Sequence, residues 1–386
     1  MEIFKIRFLL SCIWFAIMSY ICFGYGTGEN FKAAPLYIGI SLFILCNYCV
    51  HLNEVLRPFK VLIVLYIITS VGFWLNADMS VNKCLQYSCY SLTGCVTAIT
   101  SYCLVKNHPI ILKLFAYLMF LFFIVGIFRF FKEQSLLESF YAITSFYFLL
   151  FSLPLLLLCT DKKNFHIAVI SITIIFCVLS LKRSAAIASI ILLIMYMRIV
   201  AKSGLKPIVY VVLLLAVALF IVIYYIANSD FGEYIMRLSD RLENIDEDKG
   251  SGRGDVIVQF FKSDIYDFMR IPDFFIGRGF EAYHRKYSDL LAAHNDFIEL
   301  FFSAGIIGVI CLCRFFALII KKCFSLIKEN SSVAMSYASV VFLFIFYAFA
   351  SSNFYFYNLS LPLFLSIGAL EGKLSSNKSS NKEAIS

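Results

Sequence analysis

PIVYVVLLLAVALFIVIYYI, residues 207–226, contains no charged side chain. Wound as a helix rising 1.5 Å per residue, such a stretch reaches about 30 Å, the depth of a bilayer's hydrocarbon core. Its apolar residues are continuous rather than alternating, which is the pattern of a helix and not of a barrel strand. The run has many counterparts. Apolar stretches between polar interruptions give candidate spans at 8–25, 34–51, 59–76, 84–105, 110–130, 139–159, 165–181, 184–200, 207–226, 297–319, 333–350 and 358–370. Composition agrees: 61% of the 386 residues are hydrophobic and 15% charged, against about 45–50% and about 25% in soluble domains. The expected fold class is all-α, a polytopic membrane bundle of about twelve helices, and a water-soluble globule is excluded.

The first residues, MEIFKIRFLLSCIWFAIMSYICFG, have the basic head and apolar body of a secretory signal. No A-x-A-like cleavage site follows and further spans come directly after, so they read as a retained first helix. The 13 cysteines do not form a disulfide pattern, because Cys84, Cys89, Cys95 and Cys103 share one apolar run and none falls in the polar stretch 227–294. No CxxC pair accompanies histidines at ligand spacing, so neither a metal nor a cofactor is expected.

The net charge is +8, and its placement along the chain carries more information than its size. With a cytoplasmic N-terminus, short inner segments hold 18 basic residues and short outer segments hold 6: Lys32, Lys83, Arg129, Lys132, Lys182 and Arg183. That asymmetry follows the positive-inside rule. It puts both termini in the cytoplasm and one long polar loop outside. The expected organisation is spans one to nine over 1–226, an external loop over 227–296, spans ten to twelve over 297–370, and a disordered Ser/Asn/Lys-rich tail over 371–386.

Within the loop, Ile235, Leu238, Leu242 and Ile245 form one apolar stripe, and Val256, Phe260, Ile265, Phe268 and Met269 a second. Both predict short amphipathic helices lying on the membrane face or capping the bundle. Three polar patterns accompany them: Gly252-Arg253-Gly254-Asp255, Gly277-Arg278-Gly279-Phe280 and His294-Asn295-Asp296-Phe297-Ile298-Glu299. An arginine between glycines brings a permanently charged, bidentate fork close to a ligand. A further arginine, Arg183, follows Lys182 at the outer end of a span, where charge is costly unless it meets water, a counter-ion or a substrate. Each signal has a plainer reading. Lys182 and Arg183 serve equally as interfacial anchors. Arg253 and Arg278 have loop acids to pair with, since 227–294 holds 13 carboxylates and 9 basic residues. His294 reads as a helix-start residue with Asn295 or Asp296 as the cap. Arg237 and Arg241 read as a solvated face, and His284, Arg285 and Lys286 as surface charge.

Taken in order, Ile276-Gly277-Arg278-Gly279-Phe280, His294-Asn295-Asp296-Phe297-Ile298-Glu299-Leu300 and Ser303-Ala304-Gly305-Ile306-Ile307-Gly308 resemble the signature of the O-antigen polymerase and O-antigen ligase family. Arg183 in Lys-Arg-Ser-Ala matches that family's external arginine, usually written Ser-Arg-Gly-Ala. The resemblance implies a bacterial inner-membrane glycosyltransferase with its active site facing the periplasm and an undecaprenyl-diphosphate-linked oligosaccharide as donor. His294, Arg183 and Arg253 would then be catalytic, while Arg278, Asn295 and Lys182 would bind diphosphate or sugar. The chemistry implied is inverting and needs no metal or other cofactor. Expected partners are the lipid-linked glycan and membrane lipids, with room for a chain-length regulator and none for nucleic acid. A polymerase, acting in lipopolysaccharide (surface polysaccharide) biosynthesis, is the reading favoured here. A ligase acting on lipid A-core is the first alternative, and a flippase of lipid-linked oligosaccharides the second. Flippases place charge near the midplane of their spans, whereas the charges here cluster at span ends.

Overall fold

A computed structural model of the chain describes residues 2–24, 29–48, 56–76, 81–136, 145–180, 182–200, 258, 260–264, 273–280, 282–283, 295–350 and 357–383. Every element among them is helical. In chain order the α-helices are α1 (Glu2–Phe23), α2 (Glu29–Asn47), α3 (Arg57–Asn76), α4 (Val81–Asn107), α5 (Ile110–Leu136), α6 (Phe146–Leu156), α7 (Lys163–Leu179), α8 (Arg183–Ile199), α9 (Asp273–Ile276), α10 (Asp296–Lys328), α11 (Ala334–Ala350) and α12 (Tyr357–Glu383). Among the described residues five segments, Ile6–Phe23, Arg57–Asn76, Cys84–Asn107, Ile110–Glu133 and Asp296–Lys328, are long and apolar enough to cross a membrane. The ninth expected span, 207–226, and both loop stripes except Phe260–Asp264, a single π-helical turn, lie outside the described residues.

The chain divides into two compact units. Unit 1 takes Met1–Val125, Phe151–Asp161 and Phe268–Ser386, and unit 2 takes Gly126–Leu150 and Lys162–Asp267.

Unit 1 is built around α4, the least apolar of its candidate spans. Ser91, Thr93, Thr97, Thr100 and Ser101 are buried along it. Their short side chains let neighbouring helices approach, and several hydroxyls bond back to the helix's own carbonyls, as Thr97 does to Thr93 at 2.6 Å and Ser101 to Thr97 at 2.8 Å. The Tyr37 hydroxyl of α2 meets Thr97 Oγ1 at 2.8 Å. Helix α12 packs closest of all. Gly368 and Gly372, four apart, lie against the α4 backbone at Ala98 and Tyr102, where any Cβ would collide.

The same contact accounts for a departure from expectation. Where composition predicts a disordered tail from 371, α12 continues through Glu383. Glu371 is 7% exposed and its Oε1 accepts a 2.7 Å bond from the buried Tyr337 hydroxyl. A helix already nucleated in its span needs only propagation to continue, and this tie holds its next turn in place.

Span 297–319 also departs from expectation, because α10 is two helices joined end to end. At Gly305 the backbone takes φ 63° and ψ −162°, a conformation that a residue with a Cβ rarely adopts. The break frees carbonyls of the preceding turn, and a loop occupies them: Arg278 N–H donates to Phe302 O at 2.8 Å and Gly279 N–H to Ser303 O at 2.9 Å. Gly277 and Gly279 both have positive φ, 66° and 82°. A Cβ on Gly277 would strike Ser303, one on Gly279 would strike the Phe73 backbone, and one on Gly305 would strike Phe275. Gly72 completes the joint, since a Cβ there would stand 3.0 Å from the Gly279 nitrogen. Phe280, 3% exposed, then sits among Phe73, Tyr87 and Tyr90 at ring separations of 6.5, 5.5 and 5.8 Å. Residues 273–280, which the sequence places in an external loop, are thus seated on α3, α4 and α10.

Unit 2 contains the α7–α8 hairpin, where His166 Nδ1 lies 3.3 Å from the Tyr196 hydroxyl. Phe130 of α5 meets Phe176 of α7 edge-on at 4.9 Å. Arg129 Nε donates to Glu133 Oε1 at 2.8 Å, and Glu133 Oε2 accepts from Ser145 N–H at 3.1 Å. Arg129 is therefore part of a local ion-pair network.

Gly279→Ala should disrupt unit 1 more than Gly39→Ala. The left-handed backbone alone costs about 1–2 kcal/mol with a Cβ, and the collision with Phe73 adds to it, whereas nothing stands within 4 Å of a Cβ on Gly39. Thermal unfolding of the detergent-purified variants measures the difference. Equal midpoints would show that the loop is not seated as described.

Candidate functional site

Among the candidate site's arginines, Arg278 has a defined backbone anchorage and ion pair. Its backbone is held by the carbonyls freed at the α10 break, and its Nε donates to Asp273 Oδ2 at 2.9 Å. The side chain is 34% exposed, so the guanidinium is held at its root while its outer edge reaches solvent. Pairing with a loop acid, the plainer of the two readings, holds for Nε. It also orients the group, because a bond at Nε fixes which edge of the planar guanidinium faces Asp273.

Asn295 caps α10. Its Oδ1 accepts from Phe297 N–H at 3.0 Å and Ile298 N–H at 3.3 Å, with the extended backbone of an N-cap residue. Of the two cap candidates, the structure selects Asn295. Asp296 and Glu299 follow in the first helical turn, 0% and 2% exposed. Both residues interact with neighbours there, and the positive end of the helix dipole favours their charge. Arg278 and Asn295 thus belong to one assembly in unit 1, the loop 273–280 docked on the first half of α10.

Lys182 and Arg183 lie in unit 2. Lys182 occupies the N-cap position of α8 without a side-chain cap, its N–H directed 3.4 Å to Ser180 Oγ, and Arg183 is the first helical residue. Two cations at a helix N-terminus oppose the dipole unless an anion joins them. With an anion, helix amides and guanidinium act in the same sense. Both residues are half-buried and interact with neighbours. Arg253 and His294, the other two catalytic candidates, lie outside the described residues, as do Arg237, Arg241, His284, Arg285 and Lys286. Among the described residues no three of His, Cys, Asp and Glu gather within reach of a metal ion.

Sequence reasoning passed over three contributors. Glu299, inside the His-Asn motif, is buried in the first turn of α10, which its residue type does not announce. The break at Gly305 was hidden by an unbroken apolar run, and its only signal was the pair Gly305 and Gly308 inside a span. Gly72 on α3 carries no local signal, since its value lies in a contact about 200 residues distant in sequence.

Residues 167–313 match the family model described as O-antigen ligase. The matched stretch begins within α7 and ends in the second half of α10. It contains Lys182, Arg183, Arg253, Arg278, His294 and Asn295, and over this stretch the chain is similar to the O-antigen ligase family. Enzymes of this type are membrane-embedded and resemble glycosyltransferases in their chemistry. No curated protein and no solved structure matches the chain.

Asn295→Ala should destabilise the start of α10 by about 1 kcal/mol, while Asn295→Asp, which keeps a cap acceptor, should change stability little. Urea or thermal unfolding in detergent distinguishes the two. Equal loss in both variants would mean that the amide has a role beyond capping.

Proposed function

We propose that the protein is an O-antigen polymerase. It joins undecaprenyl-diphosphate-linked repeat units at the periplasmic face of the bacterial inner membrane. The observation that carries this reading is the family match at 167–313, which encloses every arginine and the histidine picked out from residue chemistry.

In the proposed reaction a hydroxyl of the acceptor glycan attacks the anomeric carbon of the donor. The new glycosidic bond forms as the bond to the diphosphate oxygen breaks, with inversion at that carbon. His294 takes the hydroxyl proton, its ordinary pKa of about 6.5 suiting it to act as base near neutral pH. Arg183, Arg253 and Arg278 receive the charge that builds on the departing diphosphate, in the manner of an oxyanion hole and in place of a metal. Lys182 adds charge beside Arg183. The rigid seating of Arg278 supports its part, since preorganised donors lose nothing to reorganisation during the reaction. Asn295 Oδ1 is committed to the amides of α10. We therefore assign Asp296, two residues after His294 and buried, to orient the imidazole.

The matching family, O-antigen ligase, favours a second reading, in which the same donor chemistry delivers the glycan to lipid A-core. The lipopolysaccharide ladder of a deletion strain separates them. A single repeat unit on the core marks a polymerase, and bare core with accumulated lipid-linked polymer marks a ligase.

His294→Ala should lower chain growth by about 10²–10⁴-fold with the protein still present in the membrane. Arg183→Lys, which keeps the charge and loses the fork, should lower it by about 10²-fold or more. Polymer length on gels and turnover of a lipid-linked donor in purified protein both report this. Full activity in both variants, or a strict requirement for added metal, would overturn the scheme.

A further inference from the structure

At the opposite end of unit 1 from the Gly277–Phe280 loop, about 21 Å along α4 from Tyr90 to Leu104, a cleft of about 210 Å³ opens between α1, α2 and α4. Ile6, Leu10 and Leu104 form apolar walls, and Arg7, Asn47 and Tyr48 supply the polar lining.

Arg7 Nη1 lies 2.8 Å from His108 Nε2. A guanidinium only donates, so the imidazole must be neutral and accept at Nε2. Burial, and then the Arg7 charge, lower the pKa of His108, in keeping with that assignment. The pair therefore carries one positive charge. Among the described residues no carboxylate pairs with Arg7. The guanidinium stands over the Tyr48 ring at 5.2 Å, and the Tyr48 hydroxyl is shielded from solvent with no hydrogen-bond partner among the described residues. A buried donor without an acceptor is costly and uncommon. One bound group satisfies both needs: an anion whose oxygens take the outer edge of Arg7 and the Tyr48 O–H together.

We propose that this cleft binds a phosphate group through Arg7 and Tyr48. A phosphate oxygen matches the guanidinium fork and also accepts from a phenol. The apolar walls, and the exposed faces of Ile6, Leu9 and Phe43 beside them, favour a phosphate that carries acyl chains over one free in solution. Short basic segments cluster at this end of the spans, as expected for the leaflet richer in anionic lipid. An arginine serving only as a snorkelling anchor would make no use of the Tyr48 hydroxyl.

The test is native mass spectrometry of the full chain, purified from mixed phosphatidylglycerol and phosphatidylcholine vesicles and stripped stepwise with detergent. Thermal unfolding in inorganic phosphate is run in parallel. Wild-type protein should retain phosphatidylglycerol after bulk lipid is lost. Tyr48→Phe, which keeps the ring and the packing, should lower retention roughly tenfold, and Arg7→Gln should abolish it. Stabilisation of wild type, but not of Tyr48→Phe, by inorganic phosphate without retained lipid would assign the same chemistry to a soluble phosphate. Equal lipid retention and equal phosphate response in wild type and Tyr48→Phe would overturn the proposal, and this comparison holds even if Arg7→Gln fails to fold.

Discussion

A helix interrupted inside an apolar bundle exposes carbonyls that have no water to turn to, and every such group needs a partner from the protein. In α10 the interruption at Gly305 is met by two amides of the loop that carries Arg278. Much of the architecture around the candidate site follows from that exchange. The loop must approach to hydrogen-bonding distance, so Gly277, Gly279 and Gly305 carry no side chain where the two backbones touch. Once there, the loop directs Phe280 into the aromatic pocket of α3 and α4 and leaves Arg278 at the rim. The arginine is placed by the main chain, and its ion pair with Asp273 finishes the placement.

Diphosphate chemistry without a metal asks for fixed positive charge that does not reorganise as the leaving group departs. Arg278 and Arg183 reach that condition by different routes. The first hangs from a loop bonded to a broken helix. The second begins an intact helix, α8, beside its N-terminal amides. Both arrangements tie the cation to backbone hydrogen bonding, which is stiffer than a long side chain anchored only at its Cα.

The membrane class and most helix positions were legible in the sequence because uninterrupted apolar runs have few alternatives in lipid. The spans expected at 165–181 and 184–200 appear as α7 and α8 within a few residues. The Gly-Arg-Gly-Phe and His-Asn segments also stood out, since polar motifs are conspicuous in a chain this apolar. What escaped was non-local. The α10 break leaves no polar mark, because the groups it frees belong to the backbone. The order of residues 371–383 depends on Tyr337 and on glycines pressed against α4, which composition cannot register. The significance of Arg7 arises from Tyr48 and His108 on other segments, which local sequence does not register.

The seating of residues 273–280 also bears on biogenesis. Their amides leave the ribosome before the carbonyls of Phe302 and Ser303 that will receive them, and α3 is threaded long before either. The loop therefore has to wait, hydrated, until the first turns of α10 are delivered, and only then can it close onto its acceptors. Completion of this corner is accordingly a late event in assembly, and a chain arrested before Phe302 would hold every later-matched donor with nowhere to place it.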